Sequence, residues 1–313
     1  MNYDRVLIVM TLLSALGMAT IMDGIDGLGL GDNPVFPAVW RSSKRLDAGL
    51  TVKDDIRLSK GGKDTAKTKG IVSGPWVSWT DSLGKAYYSA GLFNGSYTSK
   101  YDNTVVGDNK LTFALAQDFG GIIAGFKAGY QSYSEKPRGA ATTKYNPVTL
   151  SLGLAARLTD RQLVLLGYGT GLKYTRITNT KPKKTKMDIT QGTDLALGYV
   201  YTASSALQLG AQFISSWTPD YDPFSSYSLA FSYLPVKEVE LQGFLDMSVR
   251  VGANKKQDTS GANNAKYGVN AYWTPSAKIG TLGAGLSFDQ MSGEDVRYTF
   301  SETIGTLFYS RLF

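Results

Sequence analysis

The stretch SYSLAFSYLPVKEVELQGFLDMSVRV, residues 226–251, contains two runs of alternating side chains joined by a short turn. In the second run the apolar residues share one face and the polar residues share the other: Val239, Leu241, Leu245, Met247 and Val249 against Glu240, Gln242, Asp246, Ser248 and Arg250. The first run places Tyr227, Leu229, Phe231 and Tyr233 on one face in the same way. A period of two is typical of a β-strand with one apolar face, so this stretch predicts an antiparallel hairpin.

Similar alternating runs fill the chain after residue 43, and the joints between them are sorted by length. Short joints lie at 82–85, 118–121, 158–161, 202–205, 234–237 and 274–278, and long polar stretches lie at 61–70, 99–110, 134–146, 178–188, 215–224, 253–265 and 291–298. Together these joints would connect about 14 strands, an even number with short turns on one side and long loops on the other. A soluble β-sandwich, the alternative, has no reason to sort its loops. The pattern therefore predicts an all-β, antiparallel, up-and-down transmembrane barrel over residues 43–313.

The composition excludes several classes of function. The 313 residues include no Cys and no His, which removes disulfides, thiolate chemistry and every histidine-dependent catalytic triad. We therefore expect no enzyme activity, no metal and no cofactor. A net charge of +7 comes mainly from lysine-rich loops, which lack the organised basic and aromatic patch of a nucleic-acid-binding protein. On an outer surface these lysines could neutralise lipopolysaccharide phosphates.

The first residues predict export. Arg5 precedes an apolar run over residues 6–18. At the end of this run, the small residues Gly17 and Ala19 have the spacing of a cleavage site. We expect residues 1–19 to be a signal peptide; an uncleaved anchor is the alternative. With the barrel pattern, this places the mature chain in the outer membrane of a Gram-negative-type cell.

The last run, SETIGTLFYSRLF over residues 301–313, predicts the strand that closes the barrel by pairing with the first. Phe313 would then lie at the periplasmic interface, where an aromatic ring is favourable. A final aromatic preceded by Leu307 and Tyr309 at alternate positions resembles the assembly signal of outer-membrane proteins, and it implies the barrel-assembly machinery as a partner. Arg311 departs from that pattern.

Residues 20–42 form no convincing strand and are rich in Gly, Asn and Pro. A glycine-rich opening, Asn33-Pro34, Pro37-Ala38 and a first strand that contains Gly49 together resemble the amino-terminal hatch of the FadL family. These proteins are outer-membrane transporters of long-chain fatty acids and other hydrophobic compounds. The hairpin with Pro235 and an inward Asp246 resembles later hairpins of that family.

The resemblance implies that residues 20–42, with Asn33, Pro34 and Pro37, plug a 14-stranded barrel. It also implies passive uptake of a hydrophobic small molecule, fatty-acid-like or aromatic, through a lateral opening in the wall. Pro75 cannot donate a ladder hydrogen bond, so it marks either a gap in the wall or a strand end.

The polar faces predict the side chains that line the lumen. Candidate lining residues are Lys127, Arg157, Lys173, Glu240, Asp246, Arg250 and Asp289. Opposed charges across a water-filled lumen would suit a porin for small polar solutes, which is the alternative function. The charges could equally pair with one another or with the plug. Because no strand shows a distinct flat apolar face, we expect a monomer.

Overall fold

The structure is a computed structural model that describes residues 33–39, 45–60, 63–68, 72–98, 105–136, 142–178, 185–218, 221–250, 262–276, 279–293 and 300–312. The expected signal peptide, residues 20–32 and 40–42 of the expected plug, and Phe313 lie outside the described residues. Within the described residues no helix is long and apolar enough to cross a membrane.

The described residues form one short helix and a 15-stranded antiparallel sheet. The helix α1 is Phe36–Val39. The strands are β1 Arg45–Lys60, β2 Lys63–Thr68, β3 Val72–Leu83, β4 Ala86–Thr98, β5 Val105–Asp118, β6 Ile122–Lys136, β7 Thr142–Thr159, β8 Gln162–Thr178, β9 Thr185–Thr202, β10 Leu207–Thr218, β11 Tyr221–Val236, β12 Val239–Arg250, β13 Ala262–Ser276, β14 Gly280–Gly293 and β15 Phe300–Leu312.

Each strand from β4 to β14 pairs with both of its neighbours in sequence, and β15 pairs with β14 and also with β1, from Arg45↔Leu312 to Leu58↔Phe300. This pairing closes the sheet into a barrel, as the last run of the sequence predicts. Closure by β15 and β1 removes the two terminal edges of the sheet, which a strand structure needs in a bilayer because no water is present to satisfy its backbone groups.

Strands β2 and β3 occupy one position in the wall. Leu58 of β1 pairs with Phe300 of β15 and with Ala66 of β2, so β2 lies on the side of β1 that faces away from β15. β3 pairs with the lower part of that same side, from Arg45↔Thr80 to Lys53↔Val72. Counted around the wall, the fifteen strands of the described residues therefore give the 14 positions that the sequence predicts.

The two faces of the wall are assigned by burial. In β11, Leu229 is 52% exposed whereas Ser228 and Ser232 are 3% and 2% exposed. The same alternation follows β7 to β10, where the exposed members include Leu152, Leu166, Leu197 and Leu209. The leucines and aromatic rings therefore form an outer apolar belt and the serines, glutamines and glycines face the interior, as the barrel prediction requires.

The predicted short turns are confirmed, but several predicted long loops are wrong in extent. β10 ends at Thr218 and β11 begins at Tyr221. Only residues 219–220 therefore separate the two strands, whereas the sequence predicts a loop at 215–224. β8 and β9 likewise leave only residues 179–184 between them. Polar residues continue the ladder because every added antiparallel pair satisfies backbone donors and acceptors that a loop would leave to solvent. Apart from β2, the strands consequently exceed the roughly 9–11 residues that span a bilayer.

A plugged lumen as the candidate functional site

The segment Asn33–Val39 lies inside the barrel near the short turns. Asn33 and Val35 are 1% and 0% exposed, and Val39 is also buried. The segment folds on itself, since the Val35 amide donates to Asn33 Oδ1 at 3.3 Å and the Ala38 amide donates to the Val35 carbonyl at 3.0 Å. Its compact turn allows seven residues to occupy the lumen without extending along it.

A pair of glycines on the inner wall receives Asn33. The Asn33 amide Nδ2 donates to the Leu166 carbonyl of β8 at 3.3 Å. A Cβ on Gly153 of β7 would collide with Asn33 Oδ1 and would lie 2.9 Å from Pro34 Cδ, and one on Gly167 of β8 would lie 3.2 Å from Asn33 Nδ2. The absent side chains of β7 and β8 therefore make a notch whose shape fits Asn33-Pro34.

One half of the inner wall, which is apolar, faces the segment Asn33–Val39, here called the plug segment. Val35 and Val39 form one buried cluster with wall residues from β5 to β9: Ala116, Ile123, Ala155, Leu163, Leu165 and Val200. All of these wall residues lie close to the short-turn ends of their strands, at 119–121, 160–161 and 203–206. Burial of apolar surface therefore holds the segment at one end of the barrel.

The other half of the inner wall is polar. Gln208 of β10 donates from Nε2 to the Val39 carbonyl at 3.3 Å, which ties the end of α1 to this side. Gln208 pairs in register with Ser232, Ser232 with Gln242, and Gln242 with Asn270, so these four polar residues lie side by side on neighbouring strands. The lumen at this level is therefore amphipathic, with aliphatic side chains on β5–β9 and amides and hydroxyls on β10–β13.

A buried hydrogen-bond chain fixes the polar half. Tyr272 donates from its hydroxyl to Gln242 Oε1 at 2.9 Å, and Gln242 donates from Nε2 to Glu240 Oε1 at 2.7 Å. Ser232 also donates to Glu240 Oε1. Glu240 and Gln242 are 1% and 0% exposed. Because two donors reach Glu240 Oε1, the chain offsets part of the cost of burying this carboxylate and orders this part of the lumen.

An aromatic pair continues the inner wall on β13 and β15. The rings of Tyr272 and Phe308 lie 5.1 Å apart between centroids and are tilted by 56°. Gly283 of β14 gives the Phe308 ring its space, since a Cβ there would overlap the ring. Phe308 points inward between the outward residues Leu307 and Tyr309 of the predicted assembly signal, and Tyr309 donates from its hydroxyl to the Ile279 carbonyl at 2.7 Å.

The predicted lumen-lining residues lie in different surroundings. Glu240 is in the hydrogen-bond chain, and Lys127 lies on the inner face of β6 opposite Ser151. Arg157 lies at the short-turn end of β7 and forms an ion pair with Asp118, with Nη2 2.5 Å from Oδ2. The backbone of Lys173, Arg250, Asp289 and Pro37 is described, but their side chains lie outside the described residues.

Asp246 lies on the inner face of β12, directly opposite Lys266 of β13, and Lys266 is in turn opposite Asp289 of β14. Residues directly opposite in an antiparallel pair have Cβ atoms about 4.5–5.5 Å apart. The register thus sets Asp246 and Lys266, two residues of opposite charge, directly opposite each other on the inner face.

Sequence reasoning missed several interior residues. Lys110, Lys266, Gln208, Gln242 and Tyr272 are all buried inside the wall but were not among the candidate residues. Lys266 and Tyr272 share an alternating face in β13, and that parity is the signal by which they could have been found. Gln208 could not have been assigned, because its role depends on where the plug segment lies.

Comparison with solved structures identifies the fold. The chain is similar to the toluene transporter TodX of Pseudomonas putida, with 13% identity and a TM-score of 0.58 over 93% of this chain and 96% of that chain. It is similar to the toluene transporter TbuX of Ralstonia pickettii, with 13% identity and a TM-score of 0.57 over 90% of this chain and 92% of that chain. A FadL homologue of Pseudomonas aeruginosa matches at 10% identity and a TM-score of 0.56 over 90% and 93% of the respective chains.

No protein-family model matches the sequence, and a search of the curated proteins found no significant match. Two of these structures are described as toluene transporters and the third as a FadL homologue. The resemblance to the FadL family is confirmed at the level of the fold, and this chain has the fold shared by TodX, TbuX and the FadL homologue.

Proposed function

We propose that this barrel lies in the outer membrane of a Gram-negative-type cell and takes up hydrophobic small molecules passively. The observation that carries the proposal is the segment Asn33–Val39, sealed against the inner wall at the short-turn end of the lumen. A polar solute that diffuses along the barrel axis meets this segment. A hydrophobic compound instead finds aliphatic surface on β5–β9 beside it.

The charge arrangement favours a plugged transporter over the alternative porin. A porin keeps opposed charges exposed to a column of water. Here Glu240 is buried in a hydrogen-bond chain, and the register pairs Lys266 with Asp246 and Asp289 across neighbouring strands. Glu240 is thus removed from any open column of water, and Asp246 lies opposite a residue of the other sign.

A weak point in the wall supports a lateral route for the ligand. β3 pairs with β4 at Ser73↔Ser96 and again at Trp76↔Phe93, and no register pair joins Gly74 or Pro75 to β4 in the described residues. Pro75 has no amide hydrogen to donate to the ladder. The interruption lies in the wall, where a hydrophobic compound could pass directly from the lumen into the bilayer.

The ligand class and the partners complete the proposal. Two proteins of the same fold are described as toluene transporters, which favours aromatic or fatty-acid-like compounds as cargo. We also propose that Phe313, Leu307 and Tyr309 engage the assembly machinery, that residues 1–19 are the export signal, and that the lysine-rich loops contact lipopolysaccharide. The working unit is a monomer.

Two measurements on one preparation test the function. Wild-type protein in planar bilayers should give no large stable channels, and deletion of residues 20–42 should produce them, because the lumen loses its plug. Proteoliposomes with wild-type protein should take up toluene or a radiolabelled long-chain fatty acid faster than empty liposomes, without taking up arabinose. Large open channels in the wild type, together with arabinose entry, would assign the barrel to the porin class.

A further inference from the structure

The continuous apolar belt on the outer wall of β4–β8 ends at one row of residues in register. This row is Leu92, Leu111, Tyr130, Val148 and Leu172. On β7 the belt runs from Leu158 beside the short turn to Val148. The distance is about 33 Å along the strand and about 25 Å along the barrel axis at a tilt of about 40°. That is the height of the apolar band of an outer-membrane barrel, so residues beyond this row lie outside the hydrocarbon.

Amides and hydroxyls replace the apolar side chains in the next row. Asn94 lies opposite Asn109, and Asn109 lies opposite Ser132. On β7, Asn146 donates from Nδ2 to the Tyr130 hydroxyl at 2.8 Å, which joins the polar row to the end of the belt. The row lies about 5 Å beyond the belt, within a headgroup layer that is roughly 5–8 Å thick on each face. Its amides and hydroxyls are partners for the hydroxyl groups of a sugar.

Cations lie directly beyond the polar row. Lys144 of β7 is exposed, with Arg176 of β8 directly opposite it and Ser134 of β6 on its other side. Lys136, also exposed, is two residues beyond Ser134 and therefore diagonal to Lys144. Like charges directly opposite each other destabilise an antiparallel pair, because their Cβ atoms are only about 4.5–5.5 Å apart. An anion bound at Lys144 and Arg176 would offset that repulsion.

The charges of this part of the wall are segregated by face. In the described strands β4–β9, every acidic residue occupies a position of inward parity, the opposite of Lys136, Lys144 and Arg176: Asp108, Asp118, Glu135, Asp188 and Asp194. In the described strands β10–β14, no Lys or Arg occupies a position of outward parity. The cluster therefore belongs to one sector of the wall, and its strands contribute no carboxylate on the same face.

We propose that the outer face of β4–β8 binds one molecule of lipid A, the diphosphorylated sugar lipid of the outer leaflet. Its phosphates lie at the cation positions, its sugars contact the amide row, and its acyl chains cover the belt below. Phosphatidylethanolamine has one phosphate, which its own ammonium neutralises, and no sugar, so it satisfies fewer of these groups. The inference rests on the proposed location in the outer membrane. It goes beyond the lysine-rich loops because these cations belong to the strands of the wall.

The test is native mass spectrometry of the full barrel in a mild detergent with added diphosphorylated lipid A. The wild type should retain one molecule, and the double variant Lys136→Gln, Lys144→Gln should bind it about 30-fold more weakly, about fivefold for each charge. The matched control, Lys85→Gln with Lys237→Gln, removes two exposed charges from the short-turn side and should bind lipid A as the wild type does. Equal binding by the wild type and the folded Lys136→Gln, Lys144→Gln variant overturns the proposal.

Lipids with other headgroups identify the occupant. Monophosphorylated lipid A with the same acyl chains should bind more weakly than the diphosphorylated form, because it leaves part of the cation cluster without an anion. Phosphatidylglycerol should bind more weakly still. Equal retention of phosphatidylglycerol and lipid A would make the face a site for any anionic lipid and would overturn the proposal.

The variant Lys144→Glu separates lipid binding from a purely structural role of the cluster. In detergent without lipid A its urea midpoint should rise, because an opposite charge then faces Arg176, whereas its binding of lipid A should fall. Addition of lipid A should raise the midpoint of the wild type and leave that of Lys144→Glu unchanged. An equal rise in both proteins would contradict binding at this cluster.

Failure of this inference is distinguishable from failure of the proposed transport. The uptake and conductance measurements use bilayers without lipid A. A barrel that takes up toluene but does not retain lipid A would overturn the lipid site alone. A barrel that retains lipid A but forms large open channels would overturn the transport proposal alone.

Discussion

Replacing Gly153 with alanine should loosen the plug while leaving the barrel wall intact. The new methyl group would collide with Asn33 Oδ1 and come within 2.9 Å of Pro34 Cδ, in a place where Asn33 is buried. Overpacking a filled site costs about 1–3 kcal/mol. If the plug moves away instead, it loses the Asn33 hydrogen bond to the Leu166 carbonyl, a loss of similar size for a buried group.

A change of about 1–3 kcal/mol against the plugged state multiplies the population of the unplugged state by roughly 5 to 150, since 1.4 kcal/mol is tenfold. The assay is single-channel recording in planar bilayers, where Gly153→Ala should raise the frequency of open events by a factor in that range. Gly121→Ala is the matched control, because Gly121 lies at the same end of the barrel and a Cβ there meets nothing within 4 Å. If a folded Gly153→Ala barrel opens no more often than the wild type, the glycine notch does not hold the plug in place.

Two further substitutions and one deletion have defined expected outcomes. Pro75→Ala restores a ladder donor at the interrupted β3–β4 pairing, so it should slow uptake of a hydrophobic compound into proteoliposomes without changing bilayer conductance; unchanged uptake would argue against a lateral route there. Lys266→Met removes the positive charge opposite Asp246, so the urea midpoint for unfolding of the barrel should fall, and an unchanged midpoint would contradict a pairing of these two charges. Deletion of Phe313 should reduce the folded fraction in the outer membrane, measured by gel mobility before and after heating. If the deletion variant assembles fully, Phe313 is not part of the proposed assembly signal.

The wall of the barrel could be predicted because strand parity is a local property. In residues 226–251 the alternation alone assigns Leu229 and Leu241 to one face and Ser228 and Glu240 to the other, and the pairing Leu229↔Leu245 then follows from the short turn. The number of positions around the wall follows from the sorted joints. Strand ends could not be predicted, because polar residues such as those at 215–224 extend a ladder as readily as they form a loop.

The interior could be predicted only in part. Asn33-Pro34 marks the plug by resemblance, but the glycine notch depends on Gly153 and Gly167, which are more than a hundred residues away and look like ordinary strand glycines. The chain Tyr272–Gln242–Glu240 needs the register of two strand pairs, which no single run reveals. Long-range pairing therefore decides the contacts, whereas local periodicity decides only the direction of each side chain.

The orientation of the wall can be measured directly because the chain contains no cysteine. Single cysteines placed at successive positions from Ser228 to Ser232, each carrying a spin label, report collision with lipid-soluble oxygen in reconstituted membranes. We expect high oxygen accessibility at Leu229 and Phe231 and low accessibility at Ser228, Ala230 and Ser232, a period of two. Uniform accessibility, or the opposite alternation, would contradict a barrel with its leucines in lipid and its plug within.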